Sequence, residues 1–184
     1  HITRELLGDQ LTEEDCREQL QRVKDSNIKT IFHNGKFDYE VIKCTCGIAM
    51  PISWDTLIGA RLLNENESAS LKEQFILHID PTQEKYSIEK LFEKEEYAVF
   101  EPELFALYAA TDSWMTYLLF EYQLDLFRKQ ENSKIFALFK EVEIPCIEVI
   151  AEMELRGVVI DLDYCSRLCD KYHIILKEME ARVY

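Results

Sequence analysis

Residues 27–38 read NIKTIFHNGKFD, and this stretch decides the fold class of the chain. Its first half, residues 27–32, is rich in β-forming side chains and predicts a short strand. A turn at residues 33–35 follows, and apolar residues then recur at helical spacing from Lys36 to about Cys44. A strand that leads through a turn into a helix is typical of α/β proteins, whose ligand-binding groups collect where such strands end.

The rest of the chain has a mainly helical pattern. Capping signals at Thr12, a first-turn proline at Pro102 and a terminal glycine at Gly157 mark helix ends, and residues 158–160 predict a short strand. The predicted helices cover residues 12–24, 55–63, 69–78, 87–93, 102–129, 134–156 and about 161 to the end. The segment 102–129 is so rich in Phe, Tyr, Leu and Ala that we expect much of its surface to be buried.

The strand at residues 27–32 needs a partner, because a lone strand leaves its backbone hydrogen-bonding groups unsatisfied. Its partners are either elements that the pattern assigns wrongly or strands that lie upstream of His1. We favour upstream strands, so we expect an α/β fold whose first strands are missing from this chain.

The composition excludes several classes of protein. Of the 184 residues 47% are hydrophobic, and only 5 are Gly and 4 are Pro, so the chain can build a core and is not low-complexity. The formal net charge of −14 argues against a protein that coats nucleic acid through bulk charge. It does not exclude a site that holds a nucleic acid end through bound metal ions, because the ions bring their own positive charge.

Localisation signals point to the cytoplasm and to no membrane partner. The apolar stretches are too short and too interrupted by charge to span a membrane, and the first residues do not resemble a signal peptide. The six cysteines lack dense spacing and are expected to be reduced thiols.

Two pairs of polar residues, each four positions apart, are the candidates for chemistry. Asn34 and Asp38 lie where the predicted strand gives way to a helix, and we expect them on one side of its first turn. Tyr108 and Asp112 share a face of the long apolar helix, where a carboxylate is costly unless it is paired or bound to a cation. From spacing alone the more frequent alternative is a structural one, in which Asp38 is an ordinary solvated helix residue and Asp112 pairs with a lysine of another element.

The order of these motifs resembles the 3′→5′ proofreading exonuclease domain of family A (DNA polymerase I-like) DNA polymerases. Residues 31–38 (IFHNGKFD) are similar to its second exonuclease motif, and residues 108–113 (YAATDS) to its third, in the tyrosine form. Residues 141–145 (EVEIP) and 153–161 (MELRGVVID) are similar to the opening of the polymerase domain. The resemblance implies a ribonuclease H-like (DEDD-type) fold in a bacterial or phage-infected cell.

One family motif is not where the resemblance requires it. The first exonuclease motif is Asp-x-Glu on a strand near the start of the domain, and no Asp-x-Glu precedes the strand at residues 27–32. We therefore expect an N-terminally truncated fragment that is inactive by itself. Residues 1–130 would be a partial exonuclease domain, and residues 131–184 the start of the polymerase domain.

The resemblance also implies roles and cofactors. Two Mg²⁺ or Mn²⁺ ions would serve hydrolysis at a single-stranded DNA 3′ end, with Asp38 and Asp112 as ligands. Tyr108 would orient the attacking water, and Asn34 would be a supporting substrate-binding residue. Tyr86 lies near the position where the family places an apolar residue against the terminal base, so it is the candidate for stacking on that base, although packing in the core is the more frequent role of such a residue. Two carboxylates leave two divalent ions under-neutralised, so we expect this fragment to bind metal weakly.

Two alternatives remain open. An RNase D-like exoribonuclease shares both four-residue motifs, although the tail at residues 156–161 resembles a polymerase instead. A non-catalytic exonuclease-like scaffold of a polymerase is the other alternative, and the intact motif residues argue against it.

Overall fold

The structure is a computed structural model that describes residues 12–82 and 102–183. The predicted helix at residues 87–93 lies outside this range. The described elements alternate helices with two very short strands in the first half and are helical thereafter. They are α1 (Glu13–Asp25), β1 (Ile31–Phe32), α2 (Gly35–Cys46), β2 (Trp54–Asp55), α3 (Thr56–Leu63), α4 (Leu71–His78), α5 (Pro102–Phe127), a 3₁₀ turn (Gln130–Asn132), α6 (Ser133–Leu138), a π-helical segment (Phe139–Glu143), α7 (Ile144–Arg156) and α8 (Leu162–Val183).

Local signals set the ends of the first two helices. Thr12 forms a capping box with Asp15, in which each side chain meets the other residue's backbone N–H. The helix α2 ends at Gly47, which adopts φ 72°, a left-handed conformation that glycine reaches without strain. All six cysteines lie among the described residues and are free thiols in the structure.

The sheet of the described residues has two parallel strands, β1 and β2. Ile31 pairs with Trp54 and Phe32 with Asp55. The strand predicted over residues 27–32 is therefore only two residues long. Its partner in the structure is β2, although the sequence pattern predicts a connection and the start of a helix at those residues. Two residues are too few to display the alternation that identifies a strand.

The predicted strand at residues 158–160 is wrong. These residues form no strand, and Val158 and Val159 are 87% and 103% exposed. Apolar β-branched residues favour a strand only where a neighbouring strand can pair with them, and none of the described residues does so here.

An aromatic cluster forms the core where β2 meets the later helices. Trp54, Phe127 and Phe139 are buried together, with the Trp54 and Phe139 rings 4.5 Å apart between centroids. Gln123 is buried beside them, accepts a hydrogen bond from Trp54 Nε1 (3.1 Å) and donates one to the Thr56 carbonyl (2.7 Å). These contacts join β2, α3, α5 and the π-helical segment.

The long helix α5 is less buried than its composition predicts. In its last half one face is buried, with Leu119 and Phe127 at 0% and 1% exposure. Phe105 and Leu107, nearer its start, are 42% and 58% exposed. The helix packs one face against α3 and α4, so its remaining aromatic and aliphatic side chains stay at the surface.

The chain divides into two compact units, His1–Glu152 and Met153–Tyr184. The first contains the sheet, the aromatic cluster and all the motif residues that the structure describes. The second consists of the end of α7, the connection and α8, an amphipathic helix with exposed apolar residues such as Ile174 and Met179. Among the described helices, none combines the length and the apolar character that a bilayer span requires.

Candidate active site

A cleft of about 560 Å³ opens where β1 ends, between α2 and α5. We call it the carboxylate cleft. Its described lining consists of Ile31, Phe32, His33, Asp38, Leu71, Asp112, Ser113, Thr116 and Tyr117. Asp38 and Asp112, which are far apart in the sequence, therefore face one space.

Asp38 reaches the cleft because α2 begins directly after β1. It lies in the first turn of the helix, where the positive end of the helix dipole favours a carboxylate. Burial nevertheless raises its pKa, and repulsion from the Asp55 carboxylate adds to the rise. A cation in the cleft would relieve both effects.

Asp112 reaches the cleft from the middle of α5. One of its carboxylate oxygens is buried, although the helix around it is otherwise mostly apolar. Thr116, one turn later on the same helix, also lines the cleft, and its hydroxyl donates to the main-chain carbonyl of Asp112 (2.8 Å).

Tyr108 lies one turn before Asp112 on α5 but is not among the described residues that line the carboxylate cleft. Its ring lies under the ammonium group of Lys72, with the nitrogen 5.0 Å from the ring centroid. This cation–π contact joins α4 to the start of α5. Lys72 had no signal in the sequence, because its position beside Tyr108 depends on how the two helices pack.

Asn34 and Asp38 are placed differently from the expectation that they share one side of the first turn. Asn34 is the N-cap residue of α2, adopts φ 65° and lines a second cleft of about 430 Å³ together with Lys36 and Arg61. Tyr86, the residue predicted to stack on a terminal base, lies outside the described residues.

His33 is a cleft residue that the sequence reasoning did not single out. Its Nδ1 lies 2.8 Å from the hydroxyl of Thr56, which is itself within 3.2 Å of the Phe32 carbonyl. The Thr56 hydroxyl has only one proton and donates it to the Phe32 carbonyl. The hydrogen bond between His33 and Thr56 therefore requires His33 Nδ1 to be the donor. Burial lowers the pKa of His33, which favours the neutral ring. Its place at the end of the strand, within the second motif and directly before Asn34, was the signal available.

Asp55 is the N-cap of α3, and its carboxylate accepts hydrogen bonds from the backbone of Leu57 and Ile58. This agrees with the capping role that its position before Thr56 indicates. The same carboxylate also accepts from the backbone of Asn34 and Gly35 at the start of α2.

The helix α2 is held from its other side by α7. Tyr39 is buried, and its hydroxyl donates to Glu152 (2.7 Å), which also contacts the Lys43 ammonium. Burial, followed by the carboxylates of Glu152 and Glu148, raises the pKa of Tyr39, so the hydroxyl keeps its proton and remains a donor. These contacts hold Tyr39, the residue next to Asp38, in place.

The chemistry of the carboxylate cleft fits part of a site for a hard divalent cation. Carboxylate oxygens are the ligands that Mg²⁺ and Mn²⁺ prefer, and Asp38 and Asp112 supply them. Over residues 12–82 and 102–183 no group of three or more His, Cys, Asp or Glu is placed to hold a metal ion. The described residues therefore contribute an incomplete ligand set.

The chain does contain one Asp-x-Glu, at Asp38, Tyr39 and Glu40. It belongs to the second motif and lies on α2, where residues two apart point to different sides of the helix. It therefore does not take the place of a strand-borne first motif.

Comparisons with known proteins identify the family and several relatives of this chain. Residues 5–125 match a family model of DNA polymerase A exonuclease domains that is described as 3′-5′ exonuclease. The DNA polymerase I of Borreliella burgdorferi is 29% identical over 171 residues, which are 90% of this chain and 18% of that protein. The DNA polymerase I of Chloroflexus aurantiacus is 30% identical over 158 residues, 83% of this chain and 16% of that protein. The DNA polymerase I of Treponema pallidum is 24% identical over 174 residues, 90% of this chain and 17% of that protein.

The chain thus spans less than a fifth of the length of each of these relatives. Exonucleases of this family are hydrolytic enzymes that act on DNA and generally use divalent metal ions, and their fold is ribonuclease H-like. The family match covers most of the chain, including both motifs and the carboxylate cleft. The chain belongs to the 3′-5′ exonuclease family of family A DNA polymerases.

Proposed function

We propose that this chain is the proofreading exonuclease region of a DNA polymerase and that the carboxylate cleft receives the 3′ end of a single DNA strand. The observation that carries the proposal is the convergence of Asp38 and Asp112, one from each motif, on a single cleft. The family match and the similarity to three DNA polymerase I proteins support it.

Asp38 and Asp112 would hold divalent ions, Mg²⁺ or Mn²⁺, in the complete domain. Such ions lower the pKa of a bound water and stabilise the leaving 3′ oxygen when a phosphodiester is hydrolysed. The raised pKa of Asp38 supports this role, because a buried carboxylate gains most from a nearby positive charge. Since the described residues supply only two carboxylates, the isolated chain would hold metal weakly and be inactive.

The remaining residues would bind and orient. Tyr108 would direct the attacking water through its hydroxyl, and the Lys72 ammonium over its ring supports a defined ring position. Asn34, which lines the second cleft with Lys36 and Arg61, would contact the DNA strand beyond its last phosphate. Tyr86 would stack on the terminal base.

We propose a functional boundary near residue 130, with residues 131–184 opening the polymerase domain. The family match ends at residue 125, which supports a boundary near that position. The bacterial cytoplasm is the proposed location.

The test uses the full-length polymerase that carries this chain, with Asp112→Ala as the variant. Release of nucleotides from a 3′-labelled single DNA strand in Mg²⁺ should be lost, because a metal ligand is removed. Primer extension by the same preparation should be retained, because the polymerase site would lie in another domain.

Two parallel measurements separate the alternatives. A parent enzyme that degrades a 3′-labelled RNA strand faster than DNA would indicate an exoribonuclease of the RNase D type. A parent enzyme that extends primers and excises neither strand would indicate a non-catalytic scaffold. Excision by Asp112→Ala at the parental rate contradicts the assignment of this residue as a ligand.

A further inference from the structure

Asp55 is 1% exposed, and its carboxylate accepts four backbone hydrogen bonds. Its Oδ1 accepts from Leu57 (2.9 Å) and Ile58 (3.3 Å) in the first turn of α3, and from Asn34 (3.2 Å). Its Oδ2 accepts from Gly35 (2.7 Å), the first residue of α2. One buried side chain thus serves the beginnings of two helices.

This arrangement exceeds what a helix cap requires. An N-cap side chain satisfies one or two N–H groups of its own helix, whereas Asp55 also reaches across the sheet. It can do so because Asp55 pairs with Phe32 in the parallel register, which places its carboxylate beside the turn that follows β1. A buried carboxylate is tolerated only when it is fully hydrogen-bonded, and here two of its four donors are the N-cap residue and the first residue of α2.

The turn held by Asp55 has little freedom to shift. Asn34 adopts φ 65°, a conformation that non-glycine residues rarely take. A Cβ on Gly35 would lie 2.8 Å from Phe32 Cβ, so the backbone already packs closely against β1. The first turn of α2, which carries Asp38 into the carboxylate cleft, begins at this point.

We infer that Asp55 is a positioning residue of the exonuclease site: it fixes the start of α2 relative to α3 and thereby sets where Asp38 lies in the carboxylate cleft. The inference rests on the proposed function of Asp38. Asp55 acts through backbone N–H groups and is too buried to meet the substrate.

The test uses Asp55→Asn and Asp55→Ser in the full-length polymerase. Asn and Ser both cap helices well, so each can still serve α3. Asn puts an amide N–H₂ where Gly35 N–H needs an acceptor, and the shorter Ser cannot reach α2 and α3 together. Both variants should lower the kcat of excision by about 10²-fold, the cost of misplacing a catalytic group by about 1 Å, with little change in KM for the single strand.

A stability control accompanies these variants. Phe127→Leu removes part of the buried aromatic cluster and should lower the melting temperature while leaving the kcat of excision at the parental value. The two variants are compared when their melting temperatures are equal. If Phe127→Leu then loses as much excision activity as Asp55→Asn, Asp55 acts only through general stability.

A second measurement uses the 184-residue chain and does not depend on exonuclease activity. In Asp55→Ser, hydrogen exchange at the Gly35 amide should accelerate more than tenfold, while the Leu57 amide stays protected. The inference is overturned if hydrogen exchange in Asp55→Ser changes by the same factor at the Gly35 and Leu57 amides. Excision by Asp55→Asn at the parental kcat also overturns it. Excision by Asp112→Ala at the parental rate would instead overturn the proposed function, so the two failures are distinguishable.

Discussion

Tyr108 offers the most direct test of chemistry at the scale of a single residue. Tyr108→Phe keeps the ring and its contact with Lys72 but removes the hydroxyl that we propose orients the water. The kcat of excision should fall by about 10²–10⁴-fold, the range for loss of one group that handles or orients a proton. Single-turnover release from a 3′-labelled strand measures it.

Lys72→Met removes the ammonium group that lies over the Tyr108 ring, and it should also lower the kcat of excision. Its matched control is Lys140→Met, since Lys140 lies 4.8 Å over the Phe136 ring, away from the carboxylate cleft. If both lysine variants lower excision equally, the contact with Tyr108 has no special part in the reaction.

Glu67 links three elements through a single histidine. Its Oε2 lies 2.8 Å from His78 Nε2, and His78 Nδ1 lies 3.1 Å from the Tyr122 hydroxyl on α5. The histidine satisfies both neighbours when Nε2 carries its proton and Nδ1 accepts from tyrosine. The hydrogen bond from His78 is the main cause that lowers the pKa of Glu67.

This lowered pKa predicts a pH dependence of stability. A carboxyl whose pKa is lower in the folded than in the unfolded chain stabilises the fold above its unfolded pKa, and that contribution is lost as pH falls through its folded pKa. The free energy of unfolding should therefore decline more steeply below about pH 4.5 in the parent chain than in Glu67→Gln. Denaturant titrations across that range measure it, with the exposed Glu65→Gln as control; identical slopes in all three would remove Glu67 from this role.

At the scale of elements, the crossing of α3 and α5 depends on Gly59. A Cβ at this position would lie 2.4 Å from Gln123 Oε1. Gln123 cannot withdraw without breaking its hydrogen bonds to Trp54 and Thr56. The glycine is thus required by close approach between two helices.

Gly59→Ala should destabilise the chain by about 1–3 kcal/mol, the usual cost of overpacking a core. Chemical denaturation measures the loss. The double variant Gly59→Ala with Gln123→Ala removes the clash and should be no less stable than Gln123→Ala alone. Additive losses in the double variant would show that the clash is not the cause.

At the scale of the whole molecule, the division into two units predicts where the chain is cut. The connection after α7 contains Gly157 and the exposed residues Val158 and Val159, with no strand to protect them. Thermolysin, which cleaves before apolar residues, should cut the 184-residue chain first near residues 158–160. Mass spectrometry of a brief digest identifies the site.

The comparison for this digest is a chain with Val158→Asp and Val159→Asp, which should be cut there much more slowly. First cleavage inside α5 or α7 in the parent chain would contradict the division, because those helices would then open more readily than the connection.

The sequence by itself determined the features that depend on neighbouring residues. The capping box at Thr12, the left-handed end of α2 at Gly47 and the extent of most helices follow from signals within a few positions. The two motifs were recognisable for the same reason, since a four-residue spacing on a helix is a local property, and the family membership that they implied is shown by the match over residues 5–125.

Only the tertiary structure decided which distant residues meet. The pairing of β2 with β1, the contact of Gly59 with Gln123 and the entry of Asp38 and Asp112 into one cleft join segments that have no short-range pattern in common. The same holds for errors of the pattern: residues 158–160 have strand composition but no partner, and α5 is apolar but packs on one face. Burial and pairing depend on which segments become neighbours in the fold, and residue spacing along one segment does not contain that information.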